Sequence, residues 1–313
     1  MTQHNRHRFE IEGILLLVVT VWGTNFVVMK LVLDVMHPHV INVFRLLSAG
    51  FVLLIMHVRR QKALGQNILQ PLFDYPKELV TIGIMGWFLY QIVFIIGLNN
   101  TTAGTAALIM ASLPLWTALI SIGMNVEKLN SVGWIGIGVT MIGTAAVILT
   151  GKGSVDISTS FLFGNLMMLT AAMLWGLNTV LTRKLVHRVT PVGITFIGLI
   201  VALPLIGLVS IPFWNTVDWG GVTWVIWLAI VFSGSLSTGL AIVAWNYAVK
   251  KVGASHTSAF QNLVPLVALL TSFLILNEQI VFWQIVGGAF TIAGLVIMRH
   301  GRAVGRTEKQ PEH

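Results

Sequence analysis

Apolar segments of membrane-spanning length follow one another along almost the whole of this 313-residue chain. A hydrocarbon core about 30 Å thick is crossed by roughly 20 apolar residues in helical form. Segments of this length lie near 11–33, 39–58, 76–98, 102–123, 130–150, 160–183, 191–212, 221–248, 254–276 and 279–299. Charged residues make up only 10% of the chain, against roughly 25% in a soluble domain. The sequence therefore predicts an all-α integral membrane protein with ten transmembrane helices.

The segments between these spans are too short to form a further domain. They are a basic N-terminus, a loop near 59–75 and a polar tail over 301–313, whereas a domain usually needs about 50 residues or more. The first apolar run is long and lacks a small-residue cleavage site, so we expect no cleavable signal. Cysteine is absent, which excludes disulfides and thiolate metal sites.

The net charge of +8 is distributed in a way that predicts topology. With the N-terminus in the cytoplasm, every Lys and Arg except Lys30, Arg45 and Lys152 falls on the cytoplasmic side, as the positive-inside rule requires. We therefore expect both termini to be cytoplasmic in a multi-pass protein of the cell membrane. No basic face interleaved with aromatic residues lies outside the spans, so no nucleic-acid partner is expected.

The chain contains an internal duplication. Its landmarks recur in the same order after 151 to 153 residues: Trp22, Gly23, Asn25, Pro114, Glu127, Gly136, Thr140 and Gly143, then Trp175, Gly176, Asn178, Pro265, Glu278, Gly287, Thr291 and Gly294. This predicts five-helix repeats over 1–150 and 155–300. Because five is odd, the second repeat would enter the membrane from the opposite side. Inverted repeats are typical of secondary transporters, whose substrate site lies near the midplane where the repeats meet.

The repeated amides are the first candidates for that site. Asn25 and Asn178 fall near the middle of equivalent spans, and Trp22 and Trp175 lie one helical turn earlier on the same face. A mid-span amide is also explained by a hydrogen bond between helices, worth roughly 0.6–2 kcal/mol, which duplication would copy. Substrate contact and helix packing therefore both stay open.

Arg45 is the most informative charge, because it lies well inside the second span. A charge at such a depth should face protein or water and is a functional candidate by default. It would attract a carboxylate or hold the second span to its neighbours, with Asp34 as one possible partner. Snorkelling towards the outer headgroups is the alternative.

Other polar residues in the spans are weaker candidates. His256 and Gln261 precede Pro265, which predicts a locally bent ninth helix. His256 would titrate near neutral pH and couple transport to protons, or it would simply hydrogen-bond at a helix interface. Gln91 and Asn246 are further cavity candidates. Glu127 and Glu278, at helix ends, would act as gate residues or stabilise the start of the following helix.

Signatures of catalysis are missing. The sequence has no Gly-rich phosphate loop, no His-Glu-x-x-His run, no Ser nucleophile elbow and no Walker motif. We therefore expect no enzyme activity, no catalytic residues, no metal and no cofactor. The expected partners are a small-molecule substrate and the lipid bilayer, and a homodimer is possible.

Three stretches resemble the EamA-type family of the drug/metabolite transporter superfamily. They are "WGTNFVVMKLVLDVMHPHVINVFRLLSAG", "ALIMASLPLWTALIS" and "AFQNLVPLVALLTSFLILNE". The resemblance covers about residues 11–299 and implies ten helices, both termini inside, and export of amino acids or related metabolites across a cytoplasmic membrane. It also implies a central cavity lined by both repeats, onto which the Trp and Asn pairs and the polar cluster of the ninth span map.

The repeats differ in one respect, since no Arg in the seventh span matches Arg45. This predicts an asymmetric substrate, and a single cavity Arg suits an α-carboxylate better than a phosphate ester. The sequence therefore predicts an exporter of amino acids or similar small amphiphilic metabolites. A nucleotide-sugar or drug carrier of the same superfamily is the alternative, and an integral-membrane lipid enzyme is a remote one.

Overall fold

The computed structural model describes residues 3–125, 128–150, 159–252 and 260–303. Its helices are α1 (Gln3–Leu33), α2 (Pro38–Leu64), α3 (Gln70–Asp74), α4 (Pro76–Asn99), α5 (Ala103–Gly123), α6 (Ser131–Thr150), α7 (Thr159–Leu185), α8 (Pro191–Ser210), α9 (224–252), α10 (Val264–Leu276) and α11 (Phe282–His300). A 3-10 helix, Ile211–Thr216, extends α8. The strands of the described residues are β1 (Lys128–Leu129) and β2 (Arg302–Ala303), which pair antiparallel.

The helices of the described residues fit a membrane protein. All except α3 and α10, nine in total, are long and apolar enough to cross a bilayer. Helix α10 has 13 residues, and part of the predicted span 254–276 lies outside the described residues. The all-α prediction is confirmed apart from the short β1–β2 pair, whereas the number of ten crossings stays a prediction.

The predicted loop near 59–75 was partly wrong. Helix α2 continues through the basic residues to Leu64 and ends at Gly65, whose φ of +64° is the left-handed conformation that glycine adopts most readily. The short helix α3 follows. The Gln61 side chain donates a hydrogen bond to the Asn67 carbonyl over 2.9 Å. This bond holds the connection against the end of α2, so hydropathy alone underestimated its order.

Equivalent helices of the two repeats, α6 and α11, pack closely and run antiparallel. A Cβ added at Gly136 would meet Gly294 and Met298, and one at Gly143 would meet Gly287 and Thr291. Residues with higher numbers in α6 therefore contact residues with lower numbers in α11, so the two helices are antiparallel. The contacts also exchange between repeats, since Gly136 is equivalent to Gly287 and Gly143 to Gly294 by the spacing of the duplication.

An equivalent exchange of contacts between the repeats relates the pair α4 and α8 to the pair α9 and α2. Gly83 of α4 approaches Val201 and the Gly198 carbonyl of α8, and Gly234 of α9 approaches Ser48 and the Arg45 carbonyl of α2. Each of these glycines lies in a π-helical segment, and these segments are Ile82–Leu89 in α4 and Phe232–Leu240 in α9. Such segments are rare and are frequently found at functional sites. Nothing in the residue pattern had predicted them.

The end of the bundle opposite to the start of α1 is closed by apolar packing. Met29 and Val32 of α1, Ile41 of α2 and Ile95 of α4 are fully buried in one cluster. On the same end, the rings of His37 and Phe213 stack in parallel with their centroids 3.9 Å apart. Burial lowers the pKa of His37 below its ordinary value, so the stacked ring is neutral at neutral pH. These contacts fix α2 against the segment that follows α8.

Candidate functional site

A cavity of about 340 Å³ lies inside the bundle, between helices of both repeats. This volume is typical of a site for a small molecule. Its wall reaches Thr182 near the end of α7, Thr195 near the start of α8 and Asn246 near the end of α9. These positions lie towards the end of the bundle at which α1 begins. The cavity is therefore displaced towards that end and closed at the opposite one.

Eight of the nine predicted substrate-binding residues line this cavity. They are Trp22, Asn25, Arg45, Gln91, Trp175, Asn178, Asn246 and Gln261. The ninth, His256, lies outside the described residues, as does Glu127. The structure thus brings the eight together, while their contact with a substrate stays a prediction.

Arg45 lies in the cavity wall within a set of neutral groups. One terminal nitrogen, Nη2, donates to Asn42 Oδ1 over 2.9 Å and also to Gln91 Oε1. Phe94 packs against the guanidinium, with Cζ 5.7 Å from the ring centroid. The side chain is 2% exposed, which excludes snorkelling to the headgroups. Asp34 is exposed and forms no bond with Arg45, so the suggested partnership was wrong.

The guanidinium retains an unused donor. Arg45 Nε is buried and has no hydrogen-bond partner among the described residues. A buried donor without a partner costs roughly 1–3 kcal/mol, and more when the group is charged. The described residues therefore satisfy the guanidinium only in part.

The duplicated amides are buried to nearly the same extent, since Asn25 is 8% exposed and Asn178 is 7% exposed. Both Oδ1 atoms lack a partner within the described part of the chain. The Asn178 side chain also packs against α4, since a Cβ added at Gly86 would meet it. Substrate contact and helix packing therefore both stay open for these amides.

The repeated tryptophans each pack across the boundary between the repeats. Trp22 donates from Nε1 to the Ser237 carbonyl over 3.1 Å, and its ring centroid lies 5.1 Å from that of Trp245. Trp175 lies 4.7 Å from Tyr90 and 5.9 Å from Trp87 by the same measure. Aromatic rings from both repeats therefore line the cavity.

The interruption predicted ahead of Pro265 is present. Gln261 ends a helical turn, Asn262 and Leu263 are non-helical, and α10 starts at Val264. Its equivalent in the first repeat is a break at Ala111 and Ser112 within α5. Both breaks lie beside the cavity, where irregular backbone is tolerated in a membrane protein.

Glu278 binds a different helix from the one predicted. Its carboxylate accepts hydrogen bonds from the Ala103 N–H over 2.9 Å and the Gly104 N–H over 3.2 Å. These donors are the first two N–H groups of α5, which have no partner within a helix. Glu278 therefore caps α5 in the first repeat, and the expectation that it stabilises the start of α11 was wrong.

Replacing Glu278 with Ala should lower the melting temperature of the purified protein, because two first-turn N–H groups lose their acceptors. We expect a loss of about 1–3 kcal/mol. Glu278→Gln retains one acceptor oxygen and should lose less. Thermal unfolding in detergent would measure both, and an unchanged melting temperature for the Ala variant would contradict the capping role.

Sequence reasoning missed Asn42, the residue that holds Arg45. Its side chain is fully buried, and Nδ2 donates to the Gln91 carbonyl over 2.9 Å while Oδ1 accepts from Arg45. Asn42 precedes Arg45 by one helical turn, so the spacing that brings side chains together on one helix face was available as a signal.

Comparison with known proteins gives a family for this architecture. The model of the EamA-like transporter family matches twice, over residues 11–149 and 162–299. The uncharacterized transporter YyaM of Bacillus subtilis is 30% identical over 217 residues, 69% of this chain and 71% of its own. A probable terminal-alkyne amino-acid exporter of Streptantibioticus cattleyicolor is 28% identical over 93% of this chain and 94% of its own.

A solved crystal structure supports the fold alone. It is 19% identical, has a TM-score of 0.64, and the match covers 96% of this chain and 99% of that one. The two family matches fall on the two halves that the repeated landmarks define, and the relatives are named as transporters rather than enzymes. The chain belongs to the EamA-like transporter family.

Proposed function

We propose that this transporter exports amino acids or related small amphiphilic metabolites across the cytoplasmic membrane. The observation that carries the proposal is Arg45, a buried cation in the cavity wall whose described partners are all neutral. A carboxylate in the cavity would neutralise its charge. Charge-assisted bonds of this type are roughly twice as strong as neutral ones.

The rest of the cavity suits the other parts of an amino acid. Asn25 Oδ1 and Asn178 Oδ1 are acceptors without partners among the described residues, and an ammonium group is a donor. The tryptophan walls offer apolar area to a side chain. A substrate with these three groups would be asymmetric, in agreement with the presence of Arg45 in one repeat only. The relative named as a probable amino-acid exporter supports the same class.

For the mechanism, we infer ten helices in two inverted repeats that alternate access to the central cavity, with both termini cytoplasmic. The antiparallel packing of the equivalent helices α6 and α11 supports inversion, because it requires a two-fold axis perpendicular to the helices. A cavity displaced towards one end and closed at the other supports alternation. With cytoplasmic termini, the cavity in this conformation faces the cytoplasm, from which an exporter loads.

Counterflow in liposomes tests the substrate class. Purified protein is reconstituted with an unlabelled amino acid inside, and uptake of radiolabelled alanine, threonine, leucine or phenylalanine is followed with and without a pH gradient. Accumulation of one class would support the proposal, and a response to the gradient would indicate proton coupling. If folded protein takes up none of these amino acids, the result would contradict the proposal and favour nucleotide sugars or hydrophobic drugs as substrates.

Replacing Asn25 or Asn178 with Ala should weaken transport without unfolding the protein, because the lost oxygens bond no described residue. Loss of one hydrogen bond to a charged group costs about 1.5–3 kcal/mol, so KM should rise roughly tenfold or more at either position. Uptake kinetics would measure this effect. Thr170→Ala is a suitable control, since Thr170 of α7 is half-buried outside the cavity lining and bonds its own helix. Normal uptake in both Asn variants would refute the cavity assignment.

A further inference from the structure

We propose that the substrate carboxylate is the counter-charge of Arg45, so that the empty transporter reorients slowly and the protein works as an exchanger of carboxylates. The inference rests on the proposed function and adds its mode of operation. Its origin is the combination of a nearly fully buried guanidinium with a cavity wall that contains no acidic residue among the described residues. The segment 253–259, which leads towards α10, contains no Asp or Glu either.

The groups around Arg45 bind its guanidinium but do not neutralise its charge. Asn42 and Gln91 accept from Nη2 through amide oxygens, and Phe94 offers only its ring face. These groups orient the guanidinium and replace part of its hydration, but the net charge of the set stays +1. Water in the cavity of about 340 Å³ would supply the remaining solvation. The cavity must lose that water when both ends close during reorientation.

Closure around an empty cavity is therefore the costly step. Moving an unpaired cation out of water is strongly unfavourable, whereas an ion pair with good geometry recovers much of that cost. A bound carboxylate would make the closed state neutral at Arg45. The loaded transporter would reorient and release its substrate on the other side of the membrane. It would reorient back only with another carboxylate bound. Exchange would then exceed net efflux by at least roughly tenfold, since a difference of 1.4 kcal/mol between the two closed states already gives that ratio.

Asn42 acts in this scheme as a positioning residue. It contacts Arg45 through Oδ1 and the Gln91 backbone through Nδ2, so it fixes the guanidinium between α2 and α4. Gln91 is the better place for a test, because its side-chain oxygen already contacts Arg45 while its side-chain nitrogen donates to no described residue. Gln91→Glu keeps the shape and supplies a permanent counter-charge.

The experiment compares efflux with and without external substrate. Liposomes are loaded with the radiolabelled amino acid that gives the largest counterflow, then diluted into buffer with or without the unlabelled amino acid. We expect slow net efflux and fast exchange from the natural protein. In Gln91→Glu, net efflux should rise until the two rates are within about twofold, and KM should increase because the introduced carboxylate competes with that of the substrate for Arg45.

Two controls separate charge from contact. Gln91→Met removes the hydrogen bond without adding charge, and Gln261→Glu adds the same charge to another part of the wall. Both should keep the tenfold difference between exchange and net efflux. Equal rates in the natural protein, or an unchanged ratio in Gln91→Glu, would overturn the inference.

A stability measurement decides the inference even if no amino acid in the panel is carried. Without substrate, Gln91→Glu should melt at a higher temperature than the natural protein, because the buried cation gains a partner. Gln91→Met should not. A higher melting temperature with no counterflow would reject the amino acids as substrates but support the need for an anion at Arg45. A melting temperature at or below that of the natural protein would overturn the inference.

Discussion

Replacing Arg45 with Gln should nearly abolish transport of carboxylate substrates while the protein stays folded. In the structure Arg45 bonds neutral amides only, so its loss leaves no buried acid of the described residues without a partner. The substrate, in contrast, would lose two charge-assisted bonds. At about 1.5–3 kcal/mol for each bond, uptake efficiency should fall by at least roughly a hundredfold.

The measurement compares an amino acid with an analogue in which the carboxylate is replaced, such as leucine with leucinol. Arg45→Gln should reduce leucine uptake far more than leucinol uptake. Arg45→Lys is the matched control, because it keeps the charge but loses the planar fork that binds a carboxylate through two nitrogens. Its defect should be intermediate. Equal losses for both compounds would assign Arg45 a structural role instead.

The importance of Arg45 was predictable from the sequence, but its environment was not. An Arg deep in an apolar span is conspicuous in any hydropathy reading, and the prediction that it faces protein or water rests on that alone. That the partners of Arg45 are amides and not Asp34 depends on the angle at which α2 meets α4. Nothing in the local sequence fixes that angle, because it is set by side-chain packing between helices.

Most of the fold was predictable from the internal duplication of the sequence. Trp22 and Trp175, each at the start of a Trp-Gly-x-Asn run, identified the repeat and predicted that both residues lie at one cavity. The π-helical segments in α4 and α9 left no such signal. Each lets a glycine approach a neighbouring helix, Gly83 at α8 and Gly234 at α2. Such a change in helical pitch is hard to predict from sequence, since the same apolar and small residues fit a regular helix.

The bond from Glu278 to α5 shows a third limit. An acidic residue just before a helix is reasonably assigned to that helix, because the dipole favours it there. In the structure the carboxylate instead accepts hydrogen bonds from two N–H groups in the first turn of α5, which belongs to the other repeat. Sequence order identifies a capping residue, whereas the helix that it caps is decided by tertiary packing.

A substitution at the glycine contacts between α6 and α11 should lower the stability of the protein more than the loss of the Glu278 cap. Gly136→Ala should lower the free energy of unfolding by about 3 kcal/mol, because overpacking typically costs 1–3 kcal/mol and the clashing atoms here belong to backbone. The added methyl would lie 2.6 Å from the Gly294 carbonyl oxygen and from Met298 Cα. Neither atom can rotate away, so α11 would have to shift as a whole.

The same helix provides the control. Gly138 lies two residues further along α6, and a Cβ there would meet nothing within 4 Å. Gly138→Ala should therefore be neutral or stabilising by up to about 1 kcal/mol, since alanine favours a helix more than glycine does. Thermal unfolding of the two variants in the same detergent would compare them directly. Equal melting temperatures would mean that α6 and α11 do not approach this closely, and the argument for inverted repeats would lose its main support.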